Sequence, residues 1–233
     1  MSGRKQPHSL VSISSSFQTP LKTYNKTSLI LSAVKRYSNL DELLNHIWEQ
    51  VKQGAQAPEH PYHTPTFGTV GTDGPNLRTV ILRQVDTQER SLIFHSDSRA
   101  QKIKEIQNNS RVTWHFWTPD SNEQLRLMGE AFIHFDDELA NEVWQSSHPK
   151  SLKIYVKPIA PDTEVDEPQS GLPEEVESAK LSNHDEVEAG HKYFAVIRTR
   201  IDEIYFLHLH TEGHYRAHFK WAKNGVSSSW IIP

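Results

Sequence analysis

Arg78-Thr79-Val80-Ile81-Leu82-Arg83, Phe94-His95-Ser96-Asp97-Ser98-Arg99-Ala100-Gln101-Lys102 and Gln124-Leu125-Arg126-Leu127-Met128-Gly129 are three polar clusters set into apolar, strand-like sequence. Their succession suits one flat, phosphorylated ligand lying across an antiparallel barrel. Arg78 and Arg83 flank a run of Thr, Val, Ile and Leu, where a charge is costly unless it is exposed or meets an anion. A guanidinium offers forked donors that match phosphate oxygens. At odd spacing the two arginines face opposite sides of a regular strand. Both serve one ligand only if it wraps the strand end or if one arginine serves a second ligand. Solvated or carboxylate-paired arginines are the plain alternative.

The second cluster reads as a strand ending at His95 and Ser96, followed by a helix that Asp97 or Ser98 can cap. A helix N-terminus with free amides and Lys102 beside it suits a phosphate. In the third cluster the amide of Gln124 can both donate and accept, as the polar edge of a flat heterocycle requires.

Outward from these clusters the pattern is a run of short strands. Residues 40–54 place Leu40, Leu43, Leu44, Ile47, Trp48 and Val51 on one helical face, with Ser38 and Asp41 as a capping-box-like start. Strands are predicted over 67–70, 77–85 and 91–95 as a meander, then over 111–117, 124–135, 193–200, 204–210, 214–221 and 229–232. Helices are predicted after Ala100 and over 137–145. Many short strands with a few covering helices imply a mainly β fold, a closed antiparallel barrel that leaves few exposed sheet edges.

Composition bounds the function. The 233 residues suit one domain with a tail and an insertion. A hydrophobic fraction of 36% with 23% charged residues is globular, and no apolar run is long enough for a membrane helix. The net charge of -4 gives no overall attraction to nucleic acid. With no cysteine there is no disulfide, thiolate nucleophile or cysteine-ligated metal. Residues 1–37 are basic, rich in Ser and Thr and free of acids, which leaves open a disordered leader or an organelle transit peptide. The location is cytoplasmic on the first reading and organellar on the second. Residues 38–233 form the domain, with an acidic, solvated insertion at about 158–190 that could also serve as a lid.

The order of the three clusters resembles the pyridoxamine 5′-phosphate oxidase-like, FMN-binding split-barrel family, and within it the oxidase-related FMN-binding branch. The resemblance implies an antiparallel, Greek-key split barrel and a homodimer with FMN at the subunit interface. It implies cofactor contacts from Arg78, Thr79, Val80, Leu82, His95, Ser96, Arg99, Lys102, Gln124 and Arg216. It sets Arg83, Trp144, His148, Lys150 and His214 toward a small-molecule substrate. Gln101 stands where the family has an arginine, with Arg99 two residues earlier. His214-Tyr215-Arg216 matches the family's closing His-x-Arg, but Glu212 replaces a further arginine and Leu207 the flavin-stacking tryptophan. Three functions stay open: oxidation of a phosphorylated pyridoxamine or pyridoxine in vitamin B6 metabolism, a flavin reductase-type reaction, and flavin binding without turnover. In the two enzymatic readings the flavin carries the chemistry and no side chain need act as acid or base. His208, His210, His214 and His218 alternate as metal ligands on a strand can, yet no carboxylate motif completes a site and no metal is expected.

Overall fold

A computed structural model describes residues 36–233, so the basic N-terminal extension lies, but for its last two residues, outside the described part. Nine strands build one antiparallel sheet. They are β1 (Thr66–Gly71), β2 (Gly74–Thr79), β3 (Gln84–Asp86), β4 (Ser91–Asp97), β5 (Arg111–Thr118), β6 (Glu123–His134), β7 (Phe194–His208), β8 (Tyr215–Ala222) and β9 (Gly225–Ile231). The order is β2-β1-β5-β6-β7-β4-β3, with β8 and β9 branching from β7. On its side away from β6, β7 pairs first with β4 (Phe194 opposite Asp97) and then with β8 (His208 opposite Tyr215). The sheet therefore forks along β7.

In the predicted meander over 67–95 the neighbours pair as expected, β1 with β2 and β3 with β4, and β4 pairs on its other side with β7. The predicted strand over 77–85 breaks in two. Residues 80–83 leave the ladder and join the two ends of the strand order, closing the barrel. Val80 N–H donates to the Pro65 carbonyl at 3.0 Å, Leu82 N–H to that of His63 at 2.9 Å, and Arg83 N–H to that of Ile93 at 2.8 Å. Val80 and Leu82 are buried while Ile81 is exposed, so the alternation of a strand persists although its partners change.

Conversely, the two strands expected over 193–200 and 204–210 are one. Its register against β6 shifts between Met128 and Gly129, leaving Asp202 as the extra residue, which pairs with Arg111. Gly129 is required there, because a Cβ would lie 2.1 Å from the Arg200 carbonyl oxygen.

Two cores follow. Inside the barrel Phe67, Phe94, Trp114, Phe116, Leu127 and Phe206 pack with Leu43, Ile47 and Val51 of α1 (Leu40–Gln56). The N-cap of α1 is Asn39 rather than Ser38, its side chain accepting from the amides of Asp41 and Glu42 at 2.8 and 3.0 Å. On the outer face of β4 and β7 a second core joins Ile93, Phe194 and Val196 to α3 (Glu138–Ser146), α4 (Pro149–Leu152) and the turn Lys153–Tyr155. The acidic segment follows that turn with little regular structure.

Candidate functional site

The break at residues 80–83 and the end of β4 border a cavity of about 410 Å³, within the roughly 300–1,000 Å³ of small-molecule sites. Arg78, Thr79, Val80, Ile81 and Arg83 line one side, Phe94 to Asp97 another, and Lys102 a third. The odd spacing of the two arginines is thus resolved: the chain leaves the ladder between them, and both reach the same space. Leu82 is fully buried in the barrel core and supports this wall from behind.

Lys102 lies in the first turn of α2 (Gln101–Asn108), whose N-cap is Ala100 with no side chain bonded to the free amides. Asp97, expected as a cap, instead accepts from the Arg99 amide at 2.9 Å. The ammonium of Lys102 donates to Ser96 Oγ at 3.3 Å. Burial, and then the charge of Arg78, hold its pKa below the usual lysine value. An amine so placed gains from an anion within reach.

His95 packs edge-on against Phe194, and its Nε2 is buried with no hydrogen-bond partner among the described residues. Burial, with the charge of Arg83 added, pushes its pKa down to about 3, so the ring is neutral at neutral pH. A buried imidazole nitrogen without a partner costs free energy that a polar ligand atom would recover.

Arg78 is committed on one side to Glu105, Nη2 to Oε2 at 2.9 Å, with Thr69 and Asn76 completing the carboxylate's bonds. This is the carboxylate-paired arrangement. Burial alone would raise the pKa of Glu105, but those hydrogen bonds and the charge of Arg78 bring it below the usual carboxylate value. Arg99 is likewise committed: it forks onto Asp97 at 3.0 and 2.7 Å and stacks over Tyr193 at 3.5 Å.

The remaining expected residues are elsewhere. Gln124, Leu207 and Arg216 sit opposite one another across β6, β7 and β8, on the face away from the barrel core and outside the cavity wall. The Nε of Arg216 is buried without a partner among the described residues. His214 is exposed in the turn before β8, accepting from the His210 amide at 3.1 Å. His148 and Lys150 are exposed around the start of α4 and do not line the cavity.

Trp144 is a correction. It is completely buried against His191 and Phe194 in the second core and has no surface to offer a substrate. Sequence reading missed Ile154, Tyr155, Lys157 and Pro161, which form the remaining cavity wall. Their only signal was their place at the entry to the acidic insertion. Among the described residues no group of His, Asp or Glu is placed to hold a metal, and no helix is long and apolar enough to cross a membrane.

Residues 44–135, which include the cavity's main walls, match the family model described as pyridoxamine 5′-phosphate oxidase, FMN-binding domain. A pyridoxine/pyridoxamine 5′-phosphate oxidase of Agrobacterium fabrum (strain C58 / ATCC 33970) is 28% identical over 107 residues, 46% of this chain and 50% of the relative. The match thus spans about half the length of that curated relative. Among solved structures, a pyridoxamine 5′-phosphate oxidase-related, FMN binding protein from Nostoc punctiforme PCC 73102 superposes with a TM-score of 0.64 at 19% identity, covering 81% of this chain and 96% of that one. PhzG from Burkholderia lata 383, solved with tetrahydrophenazine-1-carboxylic acid, gives 0.62 at 16% identity, covering 83% and 92%. The chain is therefore related through residues 44–135 to the pyridoxamine 5′-phosphate oxidase-like FMN-binding family, and its sheet is the split barrel of that family.

Proposed function

We propose that this protein is an FMN-binding flavoprotein and an oxidoreductase, and that it works as a homodimer. The observation that carries the reading is the cavity between residues 79–83, the end of β4 and the start of α2. There Lys102, Ser96, the neutral His95 and Arg83 converge, the ammonium and guanidinium bringing positive charge and the His95 Nε2 an unpartnered polar atom. That set fits a phosphorylated polar ligand. Lys102, Ser96 and the free amides of α2 would hold the flavin phosphate, and Arg78, Thr79 and Val80 would border the cofactor. Arg83 would face the substrate. Bound FMN supplies the redox chemistry, taking a hydride or electrons from one substrate and passing them on. The protein's part is to bind, orient and exclude water.

Gln124 and Arg216 support the dimer. They share the outer face of β6, β7 and β8, and a residue there meets a flavin most simply when that flavin belongs to a second copy. Arg216, with its buried and unpartnered Nε, is suited to such a contact.

The burial of Trp144, and the position of His148 and Lys150 off the cavity, favour a substrate other than the phosphorylated B6 vitamers. A flavin reductase-type reaction is the preferred enzymatic alternative.

The test is the visible absorption spectrum of the purified protein, with the released chromophore identified. Stoichiometric FMN is the expected result. A colourless protein that also fails to bind added FMN overturns the proposal.

A further inference from the structure

The cavity is charged out of balance, and its outer wall comes from a part of the chain that held no expected site residue. Arg78 is neutralised by Glu105, and Asp97 by Arg99. That leaves Arg83, Lys102 and Lys157 on the wall with no carboxylate at ion-pair distance among the described residues. A phosphate monoester brings a charge of about -1.5 to -2, so three cations exceed what one such group neutralises.

Lys157 reaches the wall because the strap of residues 154–161 is tied down beside it. The guanidinium that grips Asp97 also donates from Nη2 to the Lys157 carbonyl at 2.9 Å and from Nη1 to the Pro158 carbonyl at 3.1 Å. Arg99 thus spends its donors on the backbone on both sides of the Lys157–Pro158 bond. It is not free to meet a ligand. The bonds fix the backbone of Lys157, a half-buried residue that lines the cavity and whose stem also lies beside Gly171 of the acidic segment.

We propose that Lys157 is an anion-binding residue of this cavity, carried by the strap at the entry to the acidic insertion, and that Arg99 is the positioning residue that holds it there. The inference rests on the cavity being a ligand site, as in the proposed function. The group bound is a phosphate or carboxylate, belonging either to FMN or to a second, anionic ligand.

The experiment titrates the full chain with three probes: FMN and riboflavin into the flavin-free protein, and inorganic phosphate into both flavin-free and FMN-loaded protein. In Lys157→Gln the loss of one charge-assisted bond is expected to weaken an anion about tenfold. If FMN weakens and riboflavin does not, Lys157 serves the flavin phosphate. If FMN holds and phosphate binding to the loaded protein weakens, Lys157 serves the second ligand. In either case Lys157→Arg restores most of the affinity. Arg99→Gln is expected to reproduce the same loss, with the double variant no weaker than either single one, and to open residues 158–165 to protease.

Wild-type affinity of Lys157→Gln for every probe overturns the assignment, and an unchanged Arg99→Gln overturns the positioning role. A wild-type protein that binds no FMN sinks the proposed function instead. Lys157-dependent phosphate binding would still uphold the present inference in that case, and absence of phosphate binding as well would end both.

Discussion

Arg78 on β2 holds Glu105 on α2 through a 2.9 Å ion pair in which the carboxylate is almost fully buried and the guanidinium borders the cavity between residues 79–83 and β4. The pair ties the strand that ends at the barrel's closing segment to the helix that carries Lys102. Glu105→Ala leaves Arg78 without its counterion and strips Thr69 and Asn76 of their acceptor. Because Arg78 keeps some contact with solvent, the expected cost is about 3 kcal/mol, the low end for breaking a buried pair. Urea denaturation measures it. Since the folded pKa of Glu105 is lowered, its contribution is complete above the usual carboxylate value and is lost as pH falls through the lower folded value. The variant should therefore show a shallower acid destabilisation than the wild type.

Lys102→Ala should weaken FMN by about tenfold or more while leaving riboflavin, which lacks the phosphate, almost unaffected. Flavin fluorescence titrations give both numbers, and equal losses would refute a phosphate role.

Arg83→Ala should retain FMN and lose affinity for an anionic second ligand. A colourless, cofactor-free variant would contradict the placement of Arg83 on the substrate side.

His95 gives a pH signature in the unliganded protein. Its imidazole takes up a proton near 6.5 when unfolded and only near 3 when folded. Between those values the unfolded chain holds the extra proton, so stability falls as pH drops from about 6.5 toward 3. His95→Gln should flatten that part of the profile. The comparison is the difference in urea midpoint between variant and wild type at several pH values, and a constant difference would refute it.

Trp144→Ala should cost about 3–5 kcal/mol of stability, as deletion of a large buried ring does. Trp144→Phe should cost less, and in whatever fraction folds FMN affinity should stay at the wild-type value. A selective loss of ligand binding without destabilisation would restore Trp144 to the site.

Much of this arrangement was legible in the sequence, and the exceptions have identifiable causes. The alternation of buried and exposed positions along β5 and β6 is plain in the residues themselves, and so is the apolar face of α1. The break within Val80-Ile81-Leu82 was not. Those side chains keep strand alternation while the backbone amides change partner, and side-chain pattern carries no record of hydrogen-bond partners. The ion pair of Arg78 joins residues on separate elements, so no local spacing announces it. Trp144 was hidden for a different reason: on α3 it could face solvent, ligand or core, and only the position of Phe194 and His191 decides. Lys157 sits at the edge of a segment whose acidic, proline-containing composition reads as solvated, which conceals the neighbours that Arg99 fixes.

The chain between β2 and β3 has one further consequence. Residues 80–83 are where the barrel shuts, held by three backbone bonds to Pro65, His63 and Ile93 rather than by a ladder, and Val80, Ile81 and Arg83 of the same segment line the cavity together with the end of β4. A ligand seated there touches both margins of the closure. Occupancy and barrel integrity are then thermodynamically linked: each molecule bound makes the margins harder to part, and any thermal parting of them expels the ligand. The amides of Val80, Leu82 and Arg83 are therefore natural reporters of occupancy, exchanging their hydrogens more slowly as the site fills.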